Sequence, residues 1–132
     1  MLLYLCAHHV DAQNVTKAEP GQENIGIRLA DEQLHAYNNR DIEAFLKPYS
    51  DDVEVYTFPD KLQYKGKEMM RNLYGKMFSE TPDLHCTIKS RVVHNNYVID
   101  EEEVIKNGTS IHAVAIYLIE DNKIAKVYFL PR

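Results

Sequence analysis

The chain has no tryptophan, only two cysteines, and five residues each of glycine and proline among 132. Two cysteines, Cys6 and Cys86, cannot make a disulfide framework. They read as one thiol in an N-terminal tail and one core thiol in an alternating apolar run. No apolar stretch reaches the roughly 18 residues that a membrane-spanning helix requires. No cluster of Lys and Arg stands out and the net charge is −5, so nucleic acid is not expected as the main partner. The histidines show no metal spacing: His8 and His9 lie in the tail, and His35, His85, His94 and His112 stand apart from Cys and carboxylates in any metal motif. No serine sits in a nucleophile elbow and no glycine-rich loop would cradle a phosphate. The expectation is a domain with no cofactor.

What is present fits one globular domain: 45% hydrophobic and 27% charged residues, in a length that buries an ordinary core without metals or disulfides. Residues 1–22 stand apart from it. Met1 to Ala7 is a short apolar run, and Val10-Asp11-Ala12 before Gln13 has the small-residue spacing of a signal-peptidase site without a positively charged leader. Two readings stay open, a remnant of an export signal or a tail outside the fold. The compartment, cytoplasmic or exported, stays open with them. The folded domain is read as 23–132.

Along that domain, Ile27, Ala30, Leu34 and Tyr37 recur at helical spacing. Asp41 caps a second, short helix over 42–47, and Pro48 limits it. Residues 53–58 read as a strand broken by Pro59-Asp60, and Leu62-Gln63-Tyr64 as a short second strand. Gly66 opens a third helix whose stripe is Met69, Met70, Leu73, Tyr74, Met77 and Phe78. Four longer strands follow, joined by turns at Asn95-Asn96, Asn107-Gly108 and Asp121-Asn122. The order is α-α-β-β-α-β-β-β-β, an α+β class in which helices cover one face of a twisted, bent sheet and leave a cone-shaped cavity.

Several segments carry a family resemblance: Gln33 to Leu46 with its Asn39-Arg40-Asp41 core, Tyr49-Ser50-Asp51-Asp52-Val53, Tyr64-Lys65-Gly66, and Val98 to Glu102. Together they resemble the SnoaL-like branch of the nuclear transport factor 2-like superfamily over about 24–130. The resemblance implies a cone-shaped α+β barrel with a curved antiparallel sheet, a homodimer packed through its sheets, and a small apolar organic ligand. It implies isomerase, cyclase or lyase chemistry on a hydrophobic substrate, with a non-catalytic ligand-binding or interaction module as the alternative, because this fold alone does not name a function. In catalytic relatives a carboxylate at the end of the first strand is the general base. The matching position here is Thr57, which cannot accept a proton at neutral pH. The family motif also places histidine where this chain has Glu101, removing a proton carrier that titrates near neutrality.

The remaining site candidates come from strand alternation. In Asp100-Glu101-Glu102-Glu103, Asp100 and Glu102 share one face. A two-residue turn at Asn95-Asn96 sets Arg91 opposite Asp100 and Lys89 opposite Glu102, and the next turn brings Tyr117 near Asp100. Ile88, Val92, Ile99, Val114 and Ile116 fall on the other face, and one β-bulge would reverse the faces. These groups read either as sheet-face ion pairs or as a polar cluster at a pocket floor, where burial raises a carboxylate pKa. Asp100 is the preferred site acid, with Tyr56 beside it. Tyr37, Tyr49, Thr57, Phe58, Met77, Arg91, Glu102, Tyr117 and Phe129 are the candidate ligand contacts, the tyrosines because a buried phenol needs an oxygen partner that a ligand can supply.

Overall fold

A computed structural model describes residues 24–132; the tail, with Cys6 and the signal-like segment, lies outside the described residues. Helix α1 spans Ile25–Asn38 and α2 Ile42–Leu46. Their N-caps Asn24 and Asp41 accept from the amides of Ile27 and Ala44, which satisfies donors that a helix start leaves open. Strand β1 (Tyr49–Thr57) and β2 (Lys61–Lys65) precede α3 (Lys67–Glu80). Then come β3 (His85–His94), β4 (Tyr97–Lys106), β5 (Thr109–Glu120) and β6 (Lys123–Phe129). The six strands form one curved, unclosed sheet in the order β2-β1-β6-β5-β4-β3. The β1–β6 pair is parallel, and the other four pairs are antiparallel. The sheet is therefore mixed: three successive hairpins bring β6 back beside β1 running the same way.

The hairpin turns hold positive φ at Asn95, Asn107, Gly108, Asp121 and Asn122. Asn, Asp and Gly tolerate that region, and such turns match the twist of the flanking strands. The predicted turn positions are therefore the observed ones.

Two helix faces differ from the apolar stripes. On α1 the buried side is Gly26, Leu29, Ala30, Gln33 and Ala36, whereas Ile27 is exposed. The helix lies on its small residues because they let it approach the sheet: a Cβ at Gly26 would come within 2.9 Å of Val98 Cγ2. On α3, Met70, Tyr74, Met77 and Phe78 turn to the core, and Met69 and Leu73 face outward, about half exposed. The register differs at one point. A β-bulge at Lys89 sets Ile88, not Lys89, opposite Glu102. Ile88 thus joins the inner face, and Lys89 pairs with Glu103 outside at 3.8 Å.

The core centres on Phe45, whose ring lies 4.6 Å from Tyr74, 5.2 Å from Tyr49, 5.5 Å from Phe78 and 6.1 Å from Tyr37. Aromatic rings so spaced attract beyond their buried area. This cluster ties α1, α2, α3 and β1 together over the sheet. Phe45→Ala is expected to lower unfolding free energy by about 3–5 kcal/mol, and Leu73→Ala, on the same three-helix layer but outward, by roughly 1 kcal/mol or less. Urea melts of the two variants check this; equal losses would contradict the assigned helix faces.

Candidate functional site

Between the helices and the inner sheet face lies a cavity of about 460 Å³. That is within the range of small-molecule sites. Its walls are chiefly apolar and aromatic, including Leu34, Tyr37, Met70, Tyr74, Val104 and Val127. Its polar inner end is built by four side chains from four elements. Tyr49 Oη donates to Gln33 Oε1 at 3.3 Å. Gln33 Nε2 donates to Ala30 O at 3.0 Å and to Tyr117 Oη at 3.2 Å. Tyr117 Oη in turn donates to Glu102 Oε1 at 3.3 Å. A primary amide has two protons and a carbonyl oxygen, so Gln33 spends both protons, accepts through Oε1 and serves as the joint of the network.

Glu102 and Asp100 share the inner face of β4, and their partners differ. Both oxygens of Asp100, which is fully buried, are taken by Arg91: Nε to Oδ1 at 2.6 Å and Nη2 to Oδ2 at 2.9 Å. Arg91 also reaches Asp31 of α1 at 2.7 Å. Such a fork combines charge with fixed geometry. Among the described residues, Glu102 has only the phenol of Tyr117 as a hydrogen-bond donor. Its pKa is pushed up to about 7, chiefly by burial and then by the negative charge of Asp100; the Tyr117 hydrogen bond and Arg91 pull the other way. Burial also raises the phenols of Tyr37, Tyr49, Tyr74 and Tyr117, Tyr74 to about 12. All four therefore stay protonated and act as donors at neutral pH. Cys86, another wall residue, is pushed up to about 12 by burial, so its thiol is a packing group and not a nucleophile. Among the described residues, no group of three His, Cys, Asp or Glu side chains is arranged to hold a metal ion.

Of the site residues expected from the sequence, Tyr37, Tyr49, Met77, Glu102, Tyr117 and Phe129 meet at the cavity wall. Asp100 and Arg91 sit together behind Glu102 and off the wall, because the fork between them occupies both groups. Tyr56 is on the opposite sheet face: Val53 and Val55 take the inward positions of β1. Its ring stacks on Tyr128 at 5.0 Å and its hydroxyl donates to Glu54 at 2.8 Å. Thr57 stands level with Phe129 at the strand end, where its Oγ1 accepts from Gln63 Nε2 at 3.0 Å. Phe58, past the end of β1, is 46% exposed. Gln33, Tyr74, Lys106 and Arg132 belong to the cavity without having been singled out. For Gln33 a signal existed: it lies three residues from both Ala30 and Ala36, a polar residue in a small-residue stripe.

The SnoaL-like domain family matches residues 30–127, and the chain belongs to that family. No curated protein matches it significantly in sequence. Among solved structures it is similar to an uncharacterized cystatin fold protein from Novosphingobium aromaticivorans, with a TM-score of 0.75 at 24% identity over 80% of this chain and 97% of that one. A computationally designed 17-OHP binder has a TM-score of 0.73 at 15% identity, over 84% of this chain and 93% of that one. An LEH-like epoxide hydrolase of M. tuberculosis has a TM-score of 0.66 at 15% identity, over 80% and 81%. These likenesses establish the NTF2-like cone fold.

Glu102 links the site to stability. Its folded pKa is raised above the ordinary 4.5 to about 7. Between these values the native state keeps a proton that the unfolded chain has lost, so stability falls as pH rises from about 4.5 to 7. Glu102→Gln removes that fall. Its stability relative to the parent is expected to increase by about 3 kcal/mol across this window. Denaturant melts at several pH values check it; a pH-independent difference would contradict a raised Glu102.

Proposed function

We propose that the cavity binds an apolar small molecule and that Glu102 moves a proton on it, in isomerase, cyclase or lyase chemistry. The observation that carries the proposal is a buried carboxyl on the wall of an apolar cavity with a pKa of about 7, where a group serves as acid or base near neutrality. A ketone whose carbonyl oxygen accepts from Tyr37 or Tyr74 would present its neighbouring carbon to Glu102. The carboxylate takes a proton from that carbon, the C–H electron pair passes into the enolate, and Glu102 returns the proton to the same or another carbon. The Tyr49–Gln33–Tyr117 chain holds the carboxyl in place. The likeness to a 17-OHP binder suggests rigid polycyclic ketones as first ligands to try.

The alternative is a ligand-binding module without turnover, and Thr57 favours it, since relatives use a carboxylate at that strand end. A homodimer belongs to either form of the proposal. Its support is the outer sheet face, where Val92 is 58% and Tyr97 38% exposed beside half-buried Ile99, Val114, Ile116 and Tyr128.

Proton–deuterium exchange at the carbon beside the carbonyl of a bound steroid ketone, followed by NMR in D2O, decides between the two. Catalysis predicts exchange that rises with pH through about 7 and falls roughly 10²–10⁴-fold in Glu102→Gln, with ligand still bound. Binding without exchange would leave the module reading. Sedimentation of the same samples at the mass of one chain would remove the dimer.

A further inference from the structure

The acid–base reading leaves a second charged region of the cavity unused. Lys106 and Arg132 line it beside Ile111 and Leu130. The inner end, at Gln33, Tyr49, Glu102 and Tyr117, is buried; Lys106 is half-buried, and Leu130 and Arg132 are exposed. The two cations therefore stand at the mouth. Among the described residues neither makes an ion pair, whereas Arg28, Lys67, Arg71, Lys89, Arg91 and Lys126 do. Asp83, in the loop after α3, holds the neighbouring β4–β5 turn: its oxygens accept from the amides of Asn107 at 2.9 Å and Gly108 at 2.7 Å. These bonds pin the β4–β5 turn to the loop after α3 and fix the strand end that carries Lys106.

Glu102, Val104 and Lys106 alternate onto one face of β4, so about 13 Å separates the Cα atoms of Glu102 and Lys106. Val104 and its cross-strand partner Ile111 make an apolar stretch between the two ends. A ligand with an apolar body and one anionic end satisfies both regions when its anion stays at the mouth. The reverse orientation would bury the anion beside Glu102, away from Lys106 and Arg132, where an unpaired charge is costly to desolvate.

We propose that the cavity selects amphiphilic monoanions, an apolar body inserted toward Glu102 and a carboxylate or sulfonate held at the mouth by Lys106 with Arg132 beside it. This rests on the reading of the cavity as a ligand site, and the test separates the two. N-phenyl-1-naphthylamine, a neutral fluorophore, reports occupation of the apolar cavity; decanoate and 1-decanol, alike except for charge, compete with it. Decanoate is expected to displace the fluorophore about tenfold more tightly than decanol at about 20 mM salt, and the preference to shrink at about 0.5 M. Lys106→Gln should reduce the preference to about twofold or less, and Lys106→Arg should keep it. The salt comparison uses the unaltered protein and does not depend on the variants folding. Failure of the fluorophore to bind would overturn the ligand-site reading and this proposal together. Fluorophore binding with equal displacement by decanol and decanoate would overturn the anionic end alone. A full preference surviving in a folded Lys106→Gln would remove Lys106 as its source.

Discussion

Two carboxyl groups are buried two positions apart on one strand face, and the guanidinium of Arg91 forks onto the first of them and acts on the second only through its field. Asp100 receives both arms of Arg91. Glu102 is left with a single phenol and an unfavourable neighbour. Burying a carboxylate without a cation is costly, and a proton is the cheapest remedy. The asymmetry holds the Glu102 carboxyl up at about 7, while the end of β1 has Thr57 instead of an acid. Arg91 also anchors α1 through Asp31, so the interaction that biases Glu102 also ties the helix to the sheet. Removing Arg91 alone would strand a buried charge, which explains why the fork lies behind the cavity wall and is not exposed to a ligand.

The cavity lies between the helices and the inner face of the sheet. At Gly26, α1 comes into contact with Val98. Farther along, Gln33 and Tyr37 of α1 line the cavity, with Phe45 and Tyr74 of the aromatic cluster on the same wall. The space left is closed by polar groups at one end and open beside Lys106 and Arg132 at the other. The cavity thus has a neutralisable acid at its inner end, apolar walls, and cations at its mouth.

The element order, the hairpin turns and the shared face of Asp100 and Glu102 were legible in the sequence, because turn chemistry and strand alternation are local rules. The Arg91–Asp100 pairing was legible for the same reason. Three features were not. The bulge at Lys89 has no local marker, and it exchanges the positions of Ile88 and Lys89. The buried side of α1 follows residue size and not apolarity, which hid Gln33 behind Ile27 and Leu34. Which of Asp100 and Glu102 receives the guanidinium fork depends on where Arg91 and Asp31 meet in space, which no local rule gives.

The central claim is that Glu102 carries a proton near neutrality. Titration of its side-chain carboxyl carbon by 13C NMR, with the resonance assigned through its loss in Glu102→Gln, measures this directly. The account predicts a midpoint near 7. A midpoint at the ordinary glutamate value of about 4.3 would contradict it.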